Sequence, residues 1–436
     1  MSVKSAHTWS PETVEARLVA IIERLAADEP ALRNIFTERF DQEAMAQAGA
    51  LKSGTHDGPL AGAIVTIKAL LDVKGHRTTG GSHLFDEKPP AAQDAPVVAR
   101  LRQAGAVFPG HTNMTELAYS GLGLNPHFGT PDNPLISDHI PGGSTSGGTV
   151  SVATGIADIA IGSDTGGSLR IPAAFTGVTG FKPSQNSVSR AGCLPLSDSL
   201  DSIGPIAGNV ESCELVWSII ADRHDAPIAS STKPIIVARN FGFDDLDPAV
   251  EQGFEKALSV LSAAGLSIEE RSLPSLDAYK KLAIWQFAAV ECRAHYDEAY
   301  QQIPDRFDPR VLSRLKRADE ASATSYRKLL NQRIQLIEQF NLELGDGFLL
   351  MPTVAIMPPS ISALDDDERY YALNLLSLRN TTLGNVMDAC SISLPYRHNN
   401  ATIGVMLTGA GGGDRELLAC ARQMEKRLAG PLYASR

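Results

Sequence analysis

The sequence lacks the short motifs of several large enzyme classes. Its ten histidines form no HExxH pair and no close cluster with cysteine, which argues against a metal hydrolase. A P-loop GK[ST] is absent, so no nucleoside triphosphate site is indicated. The tripeptide Gly121-Leu122-Gly123 has no third glycine and no nucleotide-binding unit before it, which gives a dinucleotide site little support. We therefore expect neither a metal ion nor a cofactor.

Positive charge is also scarce. The chain carries 39 Lys and Arg residues against 50 Asp and Glu residues, a formal net charge of −11. Nucleic acids and anionic membranes both call for a basic surface, so direct binding to either is not expected. No apolar run approaches the length of a membrane span, and residues 1–18 lack the apolar core of a signal peptide. These absences predict a cytoplasmic protein.

Cysteine is sparse as well. The five cysteines are an odd number, are widely spaced and include no CxxC pair. That pattern predicts free thiols in a reducing compartment rather than a disulfide framework. The residues concerned are Cys193, Cys213, Cys292, Cys390 and Cys420.

What the sequence does contain is a steady alternation of helix and strand patterns. Hydrophobic residues make up 43% of the chain and charged residues 20%, which is enough for a large buried core. No internal repeat or low-complexity tract interrupts the alternation. The pattern predicts an α/β sandwich in which helices flank a mixed, mostly parallel central sheet. Length alone would suggest two or three domains.

Several elements have recognisable ends. Ser10 is a good N-cap, so the first helix is predicted to start directly after it. A short strand is predicted over residues 106–110, and Thr112 or Asn113 is predicted to cap another helix. Residues 276–345 are predicted to be mostly helical and contain no catalytic motif.

A buried strand is predicted over residues 63–67, and Lys68 ends it. A lysine in such a β-branched run is costly to bury unless it faces a polar site. The local sequence by itself favours a strand that stops here, with Lys68 pointing into water like Lys74. To serve as a base, the amine must be neutral part of the time, so burial and hydrogen bonds would have to lower its pKa from about 10.4.

The most distinctive stretch spans residues 141–183. In it, two loops rich in glycine and serine, 142–148 and 162–168, flank an apolar segment that can form a helix and then a strand. Glycine-rich turns let backbone N–H groups point at a ligand without interfering side chains, which suits an anion or an oxyanion. A lone loop of this kind is more often a turn or a linker. A linker, however, would not alternate with apolar segments.

This stretch resembles the amidase signature family. The matching segments are Gly142-Gly143-Ser144, Gly162-Ser163-Asp164-Thr165-Gly166-Gly167-Ser168-Leu169-Arg170, Pro172-Ala173-Ala174-Phe175 and Gly180-Phe181-Lys182-Pro183. Fixed spacing over this length makes the match specific, and Lys68 extends it upstream. One departure is Thr145, where the family usually has Ser or Gly. The resemblance implies one large α/β/α amidase domain over residues 1–436, with a catalytic core near 60–210 and a more variable substrate-side region near 270–400.

The resemblance also implies a catalytic triad. Ser168 would be the nucleophile, Lys68 the base and Ser144 the bridging serine that passes protons between them. A cis peptide bond between Gly143 and Ser144 would hold the bridging serine.

The loop around the nucleophile would supply the remaining catalytic groups. Asp164 and Arg170 would hold this loop in place, although an ordinary surface ion pair is the alternative. Ser146 and Ser163 are interpreted as residues whose hydroxyl groups form hydrogen bonds within the loops. The oxyanion would be held by the backbone N–H groups of Thr165, Gly166, Gly167 and Ser168.

The candidate substrate contacts are Tyr119, Leu122, Gly143 and Arg379. In the family the loop that follows Ser120 lies near the substrate, but plain core or surface positions are the alternative for Tyr119 and Leu122. Arg379 could bind a carboxylate or a carbonyl, or could lie on a helix surface. The sequence does not choose between aryl and aliphatic amides.

These residues predict a hydrolase that cleaves the carbon–nitrogen bond of a small-molecule amide through a serine acyl-enzyme. Two alternatives stay open: the glutaminase subunit of a tRNA-dependent amidotransferase, which works with a partner protein, and a non-catalytic relative that binds amides. A Ser-His-Asp hydrolase is disfavoured, because Thr145 occupies the centre of Gly143-Ser144-Thr145-Ser146-Gly147, where GxSxG requires serine. The oligomeric state is open, with a homodimer as one option.

Overall fold

The structure is a computed structural model that describes residues 9–54, 58–223, 225 and 228–428. The prediction that the N-terminus carries no signal peptide falls partly on residues 1–8, outside the described residues. The strands are β1 (Phe36–Arg39), β2 (Val65–Lys68), β3 (Gly110–Thr112), β4 (Ile159–Asp164), β5 (Thr179–Lys182), β6 (Ser202–Ala207), β7 (Ile235–Val237), β8 (Ile268–Glu270), β9 (Phe348–Pro352), β10 (Cys390–His398) and β11 (Ala401–Gly409). The α-helices are α1 (Val14–Ala26), α2 (Asp41–Lys52), α3 (Pro96–Gln103), α4 (Ser146–Ala153), α5 (Arg170–Thr176), α6 (Val210–Ile220), α7 (Pro248–Ala263), α8 (Pro274–Tyr279), α9 (Trp285–Gln302), α10 (Pro309–Lys316), α11 (Ala323–Leu344), α12 (Asp367–Val386) and α13 (Asp414–Leu428).

These strands form one sheet in the order β1-β3-β2-β4-β6-β5-β10-β11-β9-β7-β8. The predicted mixed α/β architecture is confirmed, but the prediction of a mostly parallel sheet is wrong. Among the described residues, four strand pairs are parallel and six are antiparallel. Parallel neighbours need a long crossover, whereas residues 399–400 alone join β10 to β11, and no α-helix separates β5 from β6.

Helices cover both faces of this sheet. Ile159 and Ile161 of β4 belong to a large hydrophobic cluster that includes Val216 of α6. Ala160, between them, packs instead in a cluster with Ala173 of α5. Because successive residues of a strand face opposite sides, α6 and α5 lie on opposite faces. The result is a three-layer sandwich in which β4 and β5, the strands within residues 141–183, are the fourth and sixth of the eleven strands.

The N-terminal elements differ in detail from the sequence predictions. Helix α1 begins at Val14 rather than directly after Ser10, because residues 11–13 form a turn. The cap residue Thr13 makes no side-chain cap hydrogen bond. The strand predicted over residues 106–110 lies later in the chain, as β3.

The helix predicted to start at Thr112 or Asn113 is absent, since Thr112 is the last residue of β3. The side chain of Asn113 explains the difference. Its Nδ2 donates to the carbonyl of Gly129 at 2.8 Å, and its Oδ1 accepts from the N–H of Met114 at 2.8 Å. Such side-chain bonds compete with helix formation and hold the backbone in a turn.

The region predicted to be mostly helical, 276–345, contains α9, α10 and α11 and the end of α8, which confirms that prediction. Within the described ranges, no helix combines the length and apolar character needed to span a membrane. All five cysteines are free thiols.

Candidate active site

Strand β2 places Lys68 in the protein interior rather than in water. Its side chain is fully buried, and its Nζ donates to Ser144 Oγ at 2.7 Å and to Ser163 Oγ at 3.0 Å. The peptide bond between Gly143 and Ser144 is cis. The structure therefore brings Lys68 into contact with Ser144, the predicted bridging serine. Ser163 is a second serine that accepts a hydrogen bond from the lysine.

Burial changes the acid–base character of Lys68. Removal of the ammonium group from water lowers its pKa from 10.5 to about 7, against the attraction of nearby Asp164 and Asp201. An amine with such a pKa is partly neutral at neutral pH and can then accept a proton. Lys68 thus meets the condition that sequence reasoning set for a catalytic base.

Ser168 lies in the loop between β4 and α5 and lines a cavity. Lys68 and Ser144 are fully buried and are not among the residues that line this cavity. In the part of the chain that the structure describes, no hydrogen bond joins Ser144 to Ser168. Of the three predicted triad residues, Ser168 is therefore the one that faces the space a substrate could occupy.

Asp164 and Arg170 form a fully buried ion pair, not a surface pair. Nη2 and Nε of Arg170 donate to the two carboxylate oxygens at 2.8 and 3.0 Å. Burial by itself raises the pKa of a carboxyl group, but the charge and hydrogen bonds of Arg170 hold the pKa of Asp164 at about 2. The ionised carboxylate also accepts from the N–H groups of Gly167 at 2.8 Å and Leu169 at 3.1 Å. Asp164 thereby fixes the shape of the loop that carries Ser168.

Helix α12 holds the same loop from another side, through residues that sequence reasoning missed. The hydroxyl groups of Thr381 and Thr382 donate to the carbonyl of Gly166 at 2.5 and 3.2 Å. Asn385 Nδ2 donates to the carboxylate of Asp164 at 2.9 Å. These residues lie more than 200 positions away in the chain, and no local motif marks them.

The backbone N–H groups of the loop divide into two sets. The N–H of Gly167 donates to the carboxylate just described, so this residue must be removed from the predicted oxyanion donors. The N–H groups of Thr165, Gly166 and Ser168 donate to no group within the described residues. Thr165 is further held by its hydroxyl, which donates to the buried Asp201 at 2.5 Å. Three of the four predicted donors are therefore free to bind an oxyanion.

A cavity of about 580 Å³ with a mostly apolar wall opens at Ser168. Among the four candidate substrate contacts, Tyr119 and Arg379 line this cavity, whereas Leu122 and Gly143 do not. Leu122 is fully buried in a separate hydrophobic cluster, and the N–H of Gly143 donates to the carbonyl of residue 121. No cluster of three or more His, Cys, Asp or Glu side chains that could hold a metal ion occurs in the described ranges.

Comparison with known proteins gives one consistent result. Residues 17–418 match the profile of the family described as Amidase. The 2-amino-5-chloromuconic acid deaminase of Comamonas testosteroni is 32% identical over 395 residues, which cover 86% of this chain and 83% of the relative. A glutamyl-tRNA(Gln) amidotransferase subunit of Haloarcula marismortui is 32% identical over 409 residues, which cover 84% and 95%. A crystal structure of an amidase superposes with a TM-score of 0.85 at 30% identity, over 96% of both chains.

The family profile spans most of the chain, and both relatives are aligned over more than four-fifths of their own length. The solved amidase has the same fold over nearly its whole length. The chain therefore belongs to the amidase signature family and is an amide-hydrolysing enzyme.

Proposed function

We propose that the chain hydrolyses the carbon–nitrogen bond of a small-molecule amide through a serine acyl-enzyme and releases ammonia or an amine and a carboxylic acid. Ser168 is the nucleophile, Lys68 the general base and Ser144 the proton carrier between them. The observation that carries the proposal is the position of Lys68, which is fully buried, has a pKa of about 7 and lies 2.7 Å from Ser144 Oγ. Ser168 lines the cavity that a substrate could occupy. The proposal takes the whole chain as a single amidase domain.

The geometry supports the following route for the protons. Ser168 Oγ attacks the amide carbon while its proton passes to Ser144, whose own proton passes to neutral Lys68. The carbonyl electron pair moves onto oxygen, where the N–H groups of Thr165, Gly166 and Ser168 stabilise the negative charge. Collapse of this intermediate breaks the carbon–nitrogen bond as Lys68 returns a proton to nitrogen through Ser144. Water then hydrolyses the acyl-enzyme by the same route.

This route requires contact between Ser144 and Ser168, which is not formed in the structure. Catalytic hydrogen bonds often form fully only when the substrate is bound. We therefore propose that Ser144 and Ser168 come into hydrogen-bonding contact when the substrate binds.

Ammonia release from a panel of primary amides tests the proposal directly. The expected result is turnover that Ser168→Ala abolishes, together with an acylated form of the wild-type protein in intact-mass spectra of quenched reactions. Ser146→Ala is a matched control, because within the described residues the hydroxyl of Ser146 makes one hydrogen bond, a 3.4 Å contact to a backbone carbonyl. Full activity of Ser168→Ala would contradict the assignment of the nucleophile.

A glutaminase subunit of a tRNA-dependent amidotransferase is the second candidate function. It is favoured by the 32% identity to the haloarchaeal amidotransferase subunit. In that case glutamine would be the best amide, and its hydrolysis would depend on an added partner protein. Faster hydrolysis of simple amides than of glutamine by the isolated chain would contradict this alternative.

A cytoplasmic location and a homodimer are further proposals. The location is supported by five free thiols, since disulfides are rare in reducing compartments. Cell fractionation and light scattering of the purified protein test the two proposals separately.

A further inference from the structure

The cavity at Ser168 has an unusual charge balance. Three arginines, Arg314, Arg317 and Arg379, line it, and no Asp or Glu is among its lining residues. The chain as a whole carries a net charge of −11, so this local excess of positive charge runs against the composition. A mostly apolar cavity with one sign of charge concentrates ligands of the opposite sign.

In two of these arginines, both terminal nitrogens donate to groups of the protein. Arg314 donates to the carbonyl of Tyr119 and, at 3.2 Å, to Tyr370 Oη. Arg379 donates to Asn380 Oδ1 at 3.0 Å and to the carbonyls of residues 242 and 244 at 3.3 and 2.5 Å. Both residues add positive charge to the cavity while their side chains hold its wall together. This finding assigns Arg379 a role in holding the 242–244 loop.

Arg317 differs from the other two. Its guanidinium lies 4.2 Å from the centre of the Trp285 ring, which stiffens the side chain at the cavity wall. Its Nε lies 3.8 Å from Glu320 Oε2, in a pair whose side chains are 44% and 59% exposed. Such a long, exposed ion pair contributes little. Within the described residues its terminal nitrogens donate to no group, so they are available to a ligand.

We propose that the physiological amide carries a carboxylate on its acyl part and that Arg317 binds this carboxylate at the cavity wall. The inference rests on the proposed function and adds the substrate class to it. A guanidinium forms two parallel hydrogen bonds with a carboxylate, and the apolar wall would contact the carbon chain between the carboxylate and the amide. Arg314 and Arg379 favour the same anion through their charge.

Matched amides test this proposal. One series consists of primary amides with a terminal carboxylate and one to five methylene groups; the other has a methyl group in place of the carboxylate. At the best chain length, the carboxylate compound should exceed its neutral partner in kcat/KM by about 10- to 100-fold. Added salt should reduce the difference.

Variants separate recognition from chemistry. Arg317→Met keeps an unbranched stem, so it should lower kcat/KM for the carboxylate series, mainly through KM, by about 10- to 100-fold more than for the neutral series. Glu320→Gln removes the competing carboxylate and should leave the preference equal or stronger. Calorimetric binding of both series to Ser168→Ala should show the same preference without turnover.

Two results would overturn the inference. One is an equal kcat/KM for charged and neutral partners at every length, and the other is an unchanged preference in Arg317→Met. If neutral amides are still hydrolysed in either case, the proposed function stands and only the substrate class fails. If Ser168→Ala binds the carboxylate series more tightly than the neutral series but the wild-type protein hydrolyses neither, the result supports the inference and counts against the proposed function.

Discussion

Lys68 Nζ donates to Ser144 Oγ at 2.7 Å, and both side chains are fully buried. The contact joins residues 76 positions apart in the chain, since β2 brings one and the loop before α4 brings the other. A buried amine with a pKa of about 7 can exchange a proton with a serine hydroxyl at neutral pH. The proposed proton route requires this pair.

Replacement of Lys68 tests whether its proton exchange, rather than its charge, is required. Lys68→Met should reduce kcat by about 10²- to 10⁴-fold, since it removes the general base. Lys68→Arg should be similarly inactive, because a guanidinium keeps its proton throughout the accessible pH range. Steady-state kinetics with one amide measures both. Activity of the arginine variant close to that of the wild type would show that positive charge alone suffices.

The pH dependence of activity follows from the same group. Lys68 accepts a proton only when neutral, so kcat/KM should rise with pH, level off above a pKa of about 7, and fall about tenfold per unit below it. Ser163→Ala should move this limb to lower pH, because the Lys68 ammonium loses an acceptor at 3.0 Å. The measurement is kcat/KM from pH 5 to 9 for both proteins. A shift to higher pH in the variant would contradict the assigned role of Ser163.

Gly167 should be intolerant of a side chain. Its φ is +135°, and a Cβ there would lie 2.2 Å from Thr381 Oγ1, so Gly167→Ala must move the loop away from α12. We expect a loss of about 10²-fold or more in kcat, because the displaced loop also carries the N–H groups of Gly166 and Ser168, and loss of one oxyanion donor has this scale. Gly208→Ala is the matched control, since a Cβ there would meet nothing within 4 Å. Equal activity of the two variants would contradict the role given to this contact.

The buried ion pair should dominate the stability of the site. Asp164→Asn leaves Arg170 charged in the interior, which should cost about 3–5 kcal/mol of unfolding free energy. Asp367→Asn removes an exposed partner of Arg310 and should cost about 1 kcal/mol or less. Urea denaturation followed by circular dichroism compares the two variants. A small effect at Asp164 would mean that the loop is held by α12 alone.

The pH dependence of stability provides an independent check of this pair. The pKa of Asp164 is lowered from 3.8 to about 2 in the folded protein, so its ionised form stabilises the fold above about pH 4. That contribution should disappear as the pH falls from about 4 towards 2. Asp164→Asn should lack this part of the acid titration of unfolding free energy.

The loop that carries Ser168 could be recognised in the sequence because its residues are nearly contiguous. Asp164, Gly166 and Ser168 occupy fixed positions in one short segment, and their spacing carries the resemblance. Burial of Lys68 could not be derived locally, since it depends on β2 lying between β3 and β4 in the sheet. The preponderance of antiparallel pairs was missed for the same reason: strand order follows from distant pairings.

The supporting residues were missed for a related reason. Thr381 and Asn385 act through hydrogen bonds to the loop from a helix far along the chain, and threonine or asparagine in a helix carries no distinctive pattern. Leu122 was wrongly placed at the substrate because a loop position does not reveal which way a side chain points; it packs into the interior. Arg317 was not identified, since its freedom to bind appears only when its neighbours are known.

The most direct test of the account is reaction of the purified protein with a fluorophosphonate, followed by peptide mass spectrometry. We expect one adduct, on the peptide that carries Ser168, absent in Ser168→Ala and formed more slowly in Lys68→Ala. An adduct on Ser144 or Ser163 in the wild-type protein, or labelling at an unchanged rate in Lys68→Ala, would contradict the proposed triad.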